Sequence, residues 1–329
     1  MPLDRRLALG IDLGTSCVKL SLIDILTEEQ EFAVSRPLQG MRGERCSCSN
    51  LYTWMDRRCT PEFVSSLPTP DSRIPIKVGM GWVTLQWILK HRPGLIEENG
   101  YDCAGTIVDY VVAGLCNNKT SITSELLAYS FGYFNTKSVS WNTDILAEAG
   151  FPVHMLPSLV PSGTVVGHLP RPWGHIQEGV PVYVVTMDTQ CAVHSVRPGE
   201  HDAVFYIGTS SQLGYVITDP DFDPSKRPPD TPPTLEYQPY FHGGLYASCN
   251  GLDGGNVLEC FVRMLYSWFQ DFGKLYGKLP QLALDAENTD LEIDPRLFGS
   301  YFQPSPSCSV RGDNPRQHNS RNSNIKSDC

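Results

Sequence analysis

A chain of 329 residues, 41% of them hydrophobic, is long enough for two domains with sizeable cores. Its 36 acidic and 26 basic residues leave a net charge of −10, and Lys and Arg gather in no patch interleaved with aromatics, so the footprint of a nucleic-acid binder is absent. Eleven scattered cysteines, an odd number, read as reduced thiols of a cytoplasmic protein, and no apolar run reaches the roughly 20 residues that span a bilayer.

In chain order, MPLDRRLALG has no apolar stretch of signal-peptide length. Leu7 to Asp24 then reads as a hairpin. Ala8–Leu13 and Val18–Ile23 have strand composition, and Gly14-Thr15-Ser16 between them has turn chemistry. Asp12 is the odd residue, because a carboxylate at the end of an apolar strand calls for a metal or a cationic partner. Two readings follow. In one, backbone N–H groups from Gly14 to Ser16 cradle phosphate while Asp12 holds Mg²⁺; in the other, Asp12 bonds its own turn in an ordinary hairpin.

Residues 37–50, PLQGMRGERCSCSN, form a polar segment with no strand or helix period. Cys46-Ser47-Cys48 lies within it, but no second pair or nearby His completes a tetrahedral zinc set. Helices are predicted over Trp82–His91, Thr106–Cys116 and Thr143–Ala149, and Pro157–Gly179 reads as an irregular connection with one short strand near Thr164–Val166. Val182–Val185 forms a buried-strand run that hands over at Thr186-Met187-Asp188 to a helical stretch. Asp188 there is either an N-cap or a general base.

A break is expected near Pro198-Gly199. After it, strand Ala203–Ile207, turn Gly208-Thr209-Ser210-Ser211 and strand Leu213–Ile217 repeat the first hairpin's plan. A proline-rich loop, Asp219–Pro233, leads on to a helix over Asn256–Phe272. Its apolar stripe of Val257, Phe261, Met264, Leu265, Trp268 and Phe272 is core, while Gly254-Gly255-Asn256 at its positive end lets a ligand approach the backbone. Ser300–Cys329, rich in Ser, Asn, Arg and Pro, reads as a disordered tail.

Taken together, GIDLGTSCVKL, the turn at 208, the strand-to-helix Asp188 and Gly254-Gly255-Asn256 resemble the FGGY family of carbohydrate kinases. Further runs, WMDRRC at 54–59, AGTIVDYVV at 104–112, FGYFN at 131–135, SWN at 140–142 and GFPVH at 150–154, resemble the branch of that family that acts on sedoheptulose. The resemblance covers residues 5–36 and about 51–299. It implies an α/β, two-lobe fold of the actin/Hsp70/hexokinase-like (ribonuclease H-like) ATPase type. The N-terminal lobe would occupy 1–199, with a family segment missing near 37–50. A partial C-terminal lobe would occupy 200–299, so that the second lobe is incomplete, and the polar tail would occupy 300–329.

The activity implied is transfer of the ATP γ-phosphoryl group to a ketose hydroxyl, sedoheptulose first among the candidates, with ATP and Mg²⁺ as cofactors. By the same resemblance Asp188 is the general base and Asp12 the Mg²⁺ ligand. Gly14, Thr15, Ser16 and Lys19 face phosphates from the first hairpin, Gly208 and Thr209 from the second, and Gly254, Gly255 and Asn256 from the helix start. Trp54, Asp56 and Asp188 contact the sugar. Partners are then a sugar and a nucleotide, with neither nucleic acid nor membrane. Two alternatives stay open: a catalytically impaired, truncated isoform that binds nucleotide or a partner, and an actin-like ATPase without sugar kinase activity.

Overall fold

The computed structural model describes residues 7–14, 17–27, 30–37, 49–226, 234–266, 278–285, 292–294 and 309–311. Three antiparallel strands open the chain: β1 (Leu7–Leu13), β2 (Cys17–Asp24) and β3 (Gln30–Pro37), in the order β1-β2-β3. The first pair keeps an unbroken register from Leu7 opposite Asp24 to Leu13 opposite Val18, as the expected hairpin requires. A register shift between Leu22 and Ile23 interrupts the second pair.

A run of helices and short strands follows: α1 (Pro61–Ser65), α2 (Gly81–His91), α3 (Leu95–Asn99), α4 (Ile107–Cys116), β4 (Ile122–Ser124) and α5 (Glu125–Ala128). A 3₁₀ turn, Tyr129–Phe131, leads into β5 (Phe134–Asn135), β6 (Ser140–Trp141), α6 (Thr143–Glu148), β7 (Ser158–Val160), β8 (Val165–His168), β9 (Pro181–Tyr183) and α7 (Asp188–Ser195). Then come β10 (Val204–Ile207), β11 (Ser210–Ile217), β12 (Leu235–Pro239), β13 (Leu245–Asp253) and α8 (Gly255–Tyr266). The strands of this last group form one sheet in the order β10-β11-β13-β12. Among the described residues of the tail, Ser309–Arg311 is not irregular as the composition suggested. It pairs antiparallel with Glu292–Asp294, where alternating Ser-Val-Arg and Glu-Ile-Asp match strand periodicity.

Local chemistry explains the helix boundaries. Thr60 caps α1 by accepting the Phe63 N–H, and Pro61 fills the first helical position, where no N–H is needed. A reciprocal capping box opens α4. Thr106 Oγ1 accepts the Asp109 N–H while the Asp109 carboxylate accepts the Thr106 N–H, and Asn117 closes the helix in the left-handed region at φ 57°. The expected helix over Trp82–His91 begins one residue earlier, at Gly81, where a Cβ would lie 2.6 Å from the Phe131 ring. Pro157–Gly179 holds two strands instead of one. β7 pairs in parallel with β4, far upstream, and β8 pairs antiparallel with β9, which begins two residues beyond the segment.

The chain divides into two compact units. The first comprises 1–204, 215–231 and 236–248, and the second 205–214, 232–235 and 249–329, so the chain returns to the first unit after leaving it instead of dividing once near residue 199. Aromatic residues dominate the first unit's core. Trp82 packs on Phe131 at 4.8 Å between ring centroids and meets Phe151 and Trp141 edge-on at 5.4 and 5.7 Å. Leu127, Tyr133 and Leu146 complete this cluster, and Ile74, Ala128, Tyr129 and Phe134 form a second one. A third, Val193, Tyr240 and Tyr246, lies under α7. Leu126 and Leu127, where a polar sugar contact would otherwise be sought, are core residues.

Candidate active site

Asp12 ends β1 directly opposite Lys19 on β2, and its Oδ2 lies 2.9 Å from the Lys19 ammonium. This is the cationic partner that the sequence demanded. Both side chains are substantially exposed, so the pair contributes at most about 1 kcal/mol and the carboxylate remains accessible. Gly14 sits at the end of the strand, while Thr15 and Ser16 lie outside the described residues.

Val184 and Val185 lead into α7. Asp188 is its first helical residue and not its cap, since Met187 occupies the cap position and contributes no side-chain hydrogen bond. Asp188 is exposed, and its Oδ1 accepts the Thr189 N–H at 2.7 Å and the Thr189 hydroxyl at 3.3 Å. One turn on, the Cys191 thiol lies 2.8 Å from Thr186 Oγ1. Partial desolvation pushes this thiol up, and the negative charges of Asp188 and then Asp12 push it further.

The segment at 54–58 is a tight loop. Asp56 N–H donates to the Thr53 carbonyl, and the Asp56 carboxylate receives the Arg58 Nε at 2.9 and 3.0 Å and one terminal guanidinium nitrogen at 2.9 Å. This hydrogen bond holds the Asp56 carboxyl below the ordinary range. Arg58 is itself stacked, 4.6 Å from the Tyr52 ring centroid and 5.4 Å from that of Trp87. The Asp–Arg pair expected of a structural loop is thus present, and any sugar hydroxyl at Asp56 must share its carboxylate with Arg58. Gly79, at φ +87°, closes over the loop so tightly that a Cβ there would lie 2.0 Å from the Trp54 carbonyl oxygen.

In the second unit, Gly208 and Thr209 make the turn between β10 and β11, and Gly254, Gly255 and Asn256 open α8. These two turns interlock. Gly255 N–H donates to the Gly208 carbonyl at 2.9 Å and Asn256 N–H to the Thr209 carbonyl at 3.1 Å. Asn256 Oδ1 accepts the Gly254 and Val257 N–H groups. A Cβ on Gly254 would fall 2.7 Å from the Ser210 backbone, and one on Gly255 2.8 Å from the Gly208 carbonyl oxygen. The close approach that these glycines permit is therefore made by the hairpin turn, and the N–H groups of Gly255 and Asn256 are already bonded.

Three further buried features belong to the first unit. Lys77 pairs with Glu236, both nearly buried, across 159 positions. Tyr129, Gln190 and Gln238 form a buried polar network. Asp109, read only as an interruption of an apolar run, is the buried half of the α4 capping box, and Thr-x-x-Asp at 106–109 was the signal for it. Among the described residues, no group of three or more His, Cys, Asp or Glu is placed to hold a metal, and no helix is long and apolar enough to cross a membrane. A single accessible carboxylate such as Asp12 nevertheless suits Mg²⁺, which keeps several waters and takes further ligands from nucleotide phosphates.

Residues 47–194 match the N-terminal domain of the FGGY family of carbohydrate kinases. Over these residues the chain is similar to that family. It is 40% identical over 268 residues to human sedoheptulokinase, an alignment that covers 80% of this chain and 55% of that protein. The chain thus spans about half the length of this FGGY relative. Among solved structures it resembles gluconate kinase from Lactobacillus acidophilus, with a TM-score of 0.65 and 15% identity over 93% of this chain and 72% of that one. It also resembles glycerol kinase from Plasmodium falciparum solved with ADP, with a TM-score of 0.64 and 12% identity over 94% and 73%. Its fold is that of these FGGY sugar kinases, the actin- and hexokinase-like ATPase fold.

Proposed function

We propose that this chain is an ATP-dependent kinase of the cytoplasm that phosphorylates a ketose, with sedoheptulose as substrate and its 7-phosphate as product. The observation that supports this reading best is the exposed Asp188 at the start of α7, bonded through Oδ1 to Thr189, in a chain 40% identical to human sedoheptulokinase. Phosphoryl transfer asks a protein mainly for positioning and charge stabilisation, and two accessible carboxylates with different partners suit two different tasks.

Asp188 has one oxygen bonded to Thr189, so Oδ2 accepts the proton of the sugar hydroxyl. The sugar oxygen then forms its bond to the γ-phosphorus as the bond from that phosphorus to the bridging oxygen breaks, and ADP leaves with the electron pair. Mg²⁺ bound at Asp12 would neutralise charge on the phosphate oxygens. Lys19, paired with Asp12, offers a second positive charge to the same oxygens. By resemblance Gly14, Thr15 and Ser16 would border the phosphates; Gly208, Thr209, Gly254, Gly255 and Asn256 are further nucleotide candidates by the same resemblance, although the Gly255 and Asn256 N–H groups are already bonded to the turn at 208. Trp54 would cover the apolar face of the sugar, with Asp56 accepting hydroxyls beside Arg58.

A second reading has its own observation. Apolar residues on the strands, Leu7, Leu9, Phe205, Ile207 and Leu213 among them, are exposed, which favours a chain that binds nucleotide or a partner through these surfaces without useful turnover. Phosphorylation of sedoheptulose, D-xylulose and glycerol by the purified chain with MgATP, with products weighed by mass spectrometry, separates the readings. The highest kcat/KM is expected for sedoheptulose. Preference for another sugar would overturn the substrate, and ATP binding with no phosphorylated sugar would favour the second reading.

A further inference from the structure

We infer that Gln190 is a positioning residue for Asp188, anchoring the first turn of α7 to the Tyr129 hydroxyl and to β12. The inference rests on the kinase reading for the role of Asp188. Its geometric part stands apart from that reading.

Gln190 follows Asp188 by two residues, about 200° around the helix, so one faces solvent while the other points into the protein. Gln190 is 0% exposed. Its Nε2 is surrounded by three acceptors: Tyr129 Oη at 3.2 Å, the Pro239 carbonyl at 3.3 Å and Gln238 Oε1 at 3.4 Å. Tyr129 in turn donates to Gln238 Oε1 at 2.8 Å. Turning the amide over would set its oxygen against those three acceptors, so the donor end is fixed by the network. One amide thus ties α7 to the 3₁₀ turn at Tyr129 and to β12, three elements far apart in sequence.

Packing also holds the start of α7, since Met187 lies against both aromatic clusters and Thr189 is buried. Met187 supplies no side-chain cap, and Asp188 bonds only the residue after it. Upstream, the Ser124 hydroxyl donates to the Val185 carbonyl. The turn that carries Asp188 is therefore pinned by Ser124 on one side and Gln190 on the other. The network is also incomplete at one point, because Gln190 Oε1 is buried without a hydrogen-bond partner. A fully enclosed amide that leaves its oxygen unpaired is costly, and its two N–H donors, shared among three acceptors, hold that side chain in a single orientation. A general base must lie within hydrogen-bond reach of the hydroxyl it deprotonates, so a small rotation of α7 would carry Asp188 out of range without altering its chemistry.

The test compares Gln190→Met, of similar length but without hydrogen bonds, with the parent and with Asp188→Asn. The readouts are steady-state kinetics with MgATP and sedoheptulose, and hydrogen exchange of the peptide over residues 186–195. A displacement of about 1 Å at a reacting group costs about 10²-fold, so Gln190→Met should lose about that much kcat while KM for MgATP stays within about twofold. The α7 amides should exchange faster in the same variant. The triple variant Gln190→Met, Gln238→Met, Tyr129→Phe removes the orphaned partners as well. It should recover thermal stability but not kcat, a separation that a purely structural role would not produce. Parental kcat in folded Gln190→Met, or unchanged exchange in α7, would overturn the inference. A parent without sugar-dependent turnover, or an Asp188→Asn variant as fast as the parent, would instead sink the kinase reading, and exchange alone would then decide whether Gln190 anchors α7.

Discussion

Asp109 makes the stability of the first unit depend on pH in a direction opposite to that of most carboxylates. Its side chain is 1% exposed, and Oδ2 accepts the Thr106 N–H at 2.7 Å and the Thr106 hydroxyl at 2.8 Å. The buried Thr123 hydroxyl also bears on the carboxylate, while the buried Ser121 hydroxyl has no hydrogen-bond partner. Burial outweighs the bonds from Thr106 and raises the carboxyl to about 6. An unfolded Asp titrates near ~3.9, and a shift of about two units is worth ~3 kcal/mol. Because the folded state holds its proton more tightly, the favourable contribution is complete below about pH 4 and is lost as pH rises through about 6. Asp109→Asn keeps an acceptor for Thr106, cannot ionise, and offers an N–H to the buried hydroxyl oxygens. Urea unfolding followed by tryptophan fluorescence, at intervals from about pH 4 to about pH 7, should show the parent losing ~2–3 kcal/mol relative to the variant. A difference that stays constant, or a parent that gains on the variant as pH rises, would refute the argument.

The Lys77–Glu236 pair is nearly buried, with side-chain exposures of 14% and 10%. Lys77→Met should therefore cost about 3–5 kcal/mol by removing the ammonium beside the nearly buried Glu236, whereas the double variant Lys77→Met, Glu236→Leu should return close to the parent, as read by thermal midpoints. Gly79→Ala puts a methyl group against the Trp54 carbonyl in a backbone conformation that L-residues avoid. It should raise KM for the sugar and shift the fluorescence of the Trp54 loop. Unchanged KM in a folded variant would detach that loop from sugar binding.

What the sequence revealed was local. The hairpin at 7–24 was legible because strand composition flanks a glycine-hydroxyl turn, and the register from Leu7 to Leu13 follows from it. Helices at 81–91, 107–116 and 143–148 were legible to within a residue because their caps and breakers, Thr106, Pro93 and Gly150, are written beside them. The strands β12 and β13 were not. Gln, Cys, Asn and Gly within them dilute any alternation, and these strands owe their form to neighbours in the sheet. Of the candidate site, the acids were visible because Asp is conspicuous at the end of an apolar strand. Their anchors were not, since Gln190, Tyr129 and Gln238 are unremarkable in sequence and meet only in the fold. The glycines at 254 and 255 were expected to admit a ligand to the backbone. The neighbour that approaches is the turn at 208, a pairing no short window of sequence contains.

The most direct test is sedoheptulose-dependent ADP release by the purified chain with MgATP, run beside Asp188→Asn. Removing a positioned base lowers the rate by about 10²- to 10⁴-fold, so the account predicts sugar-dependent turnover in the parent and a loss of that size in the variant, with nucleotide binding kept. Equal turnover in both would show that Asp188 is not the base. ADP release indifferent to the sugar would contradict the kinase account itself and put an actin-like ATPase in its place.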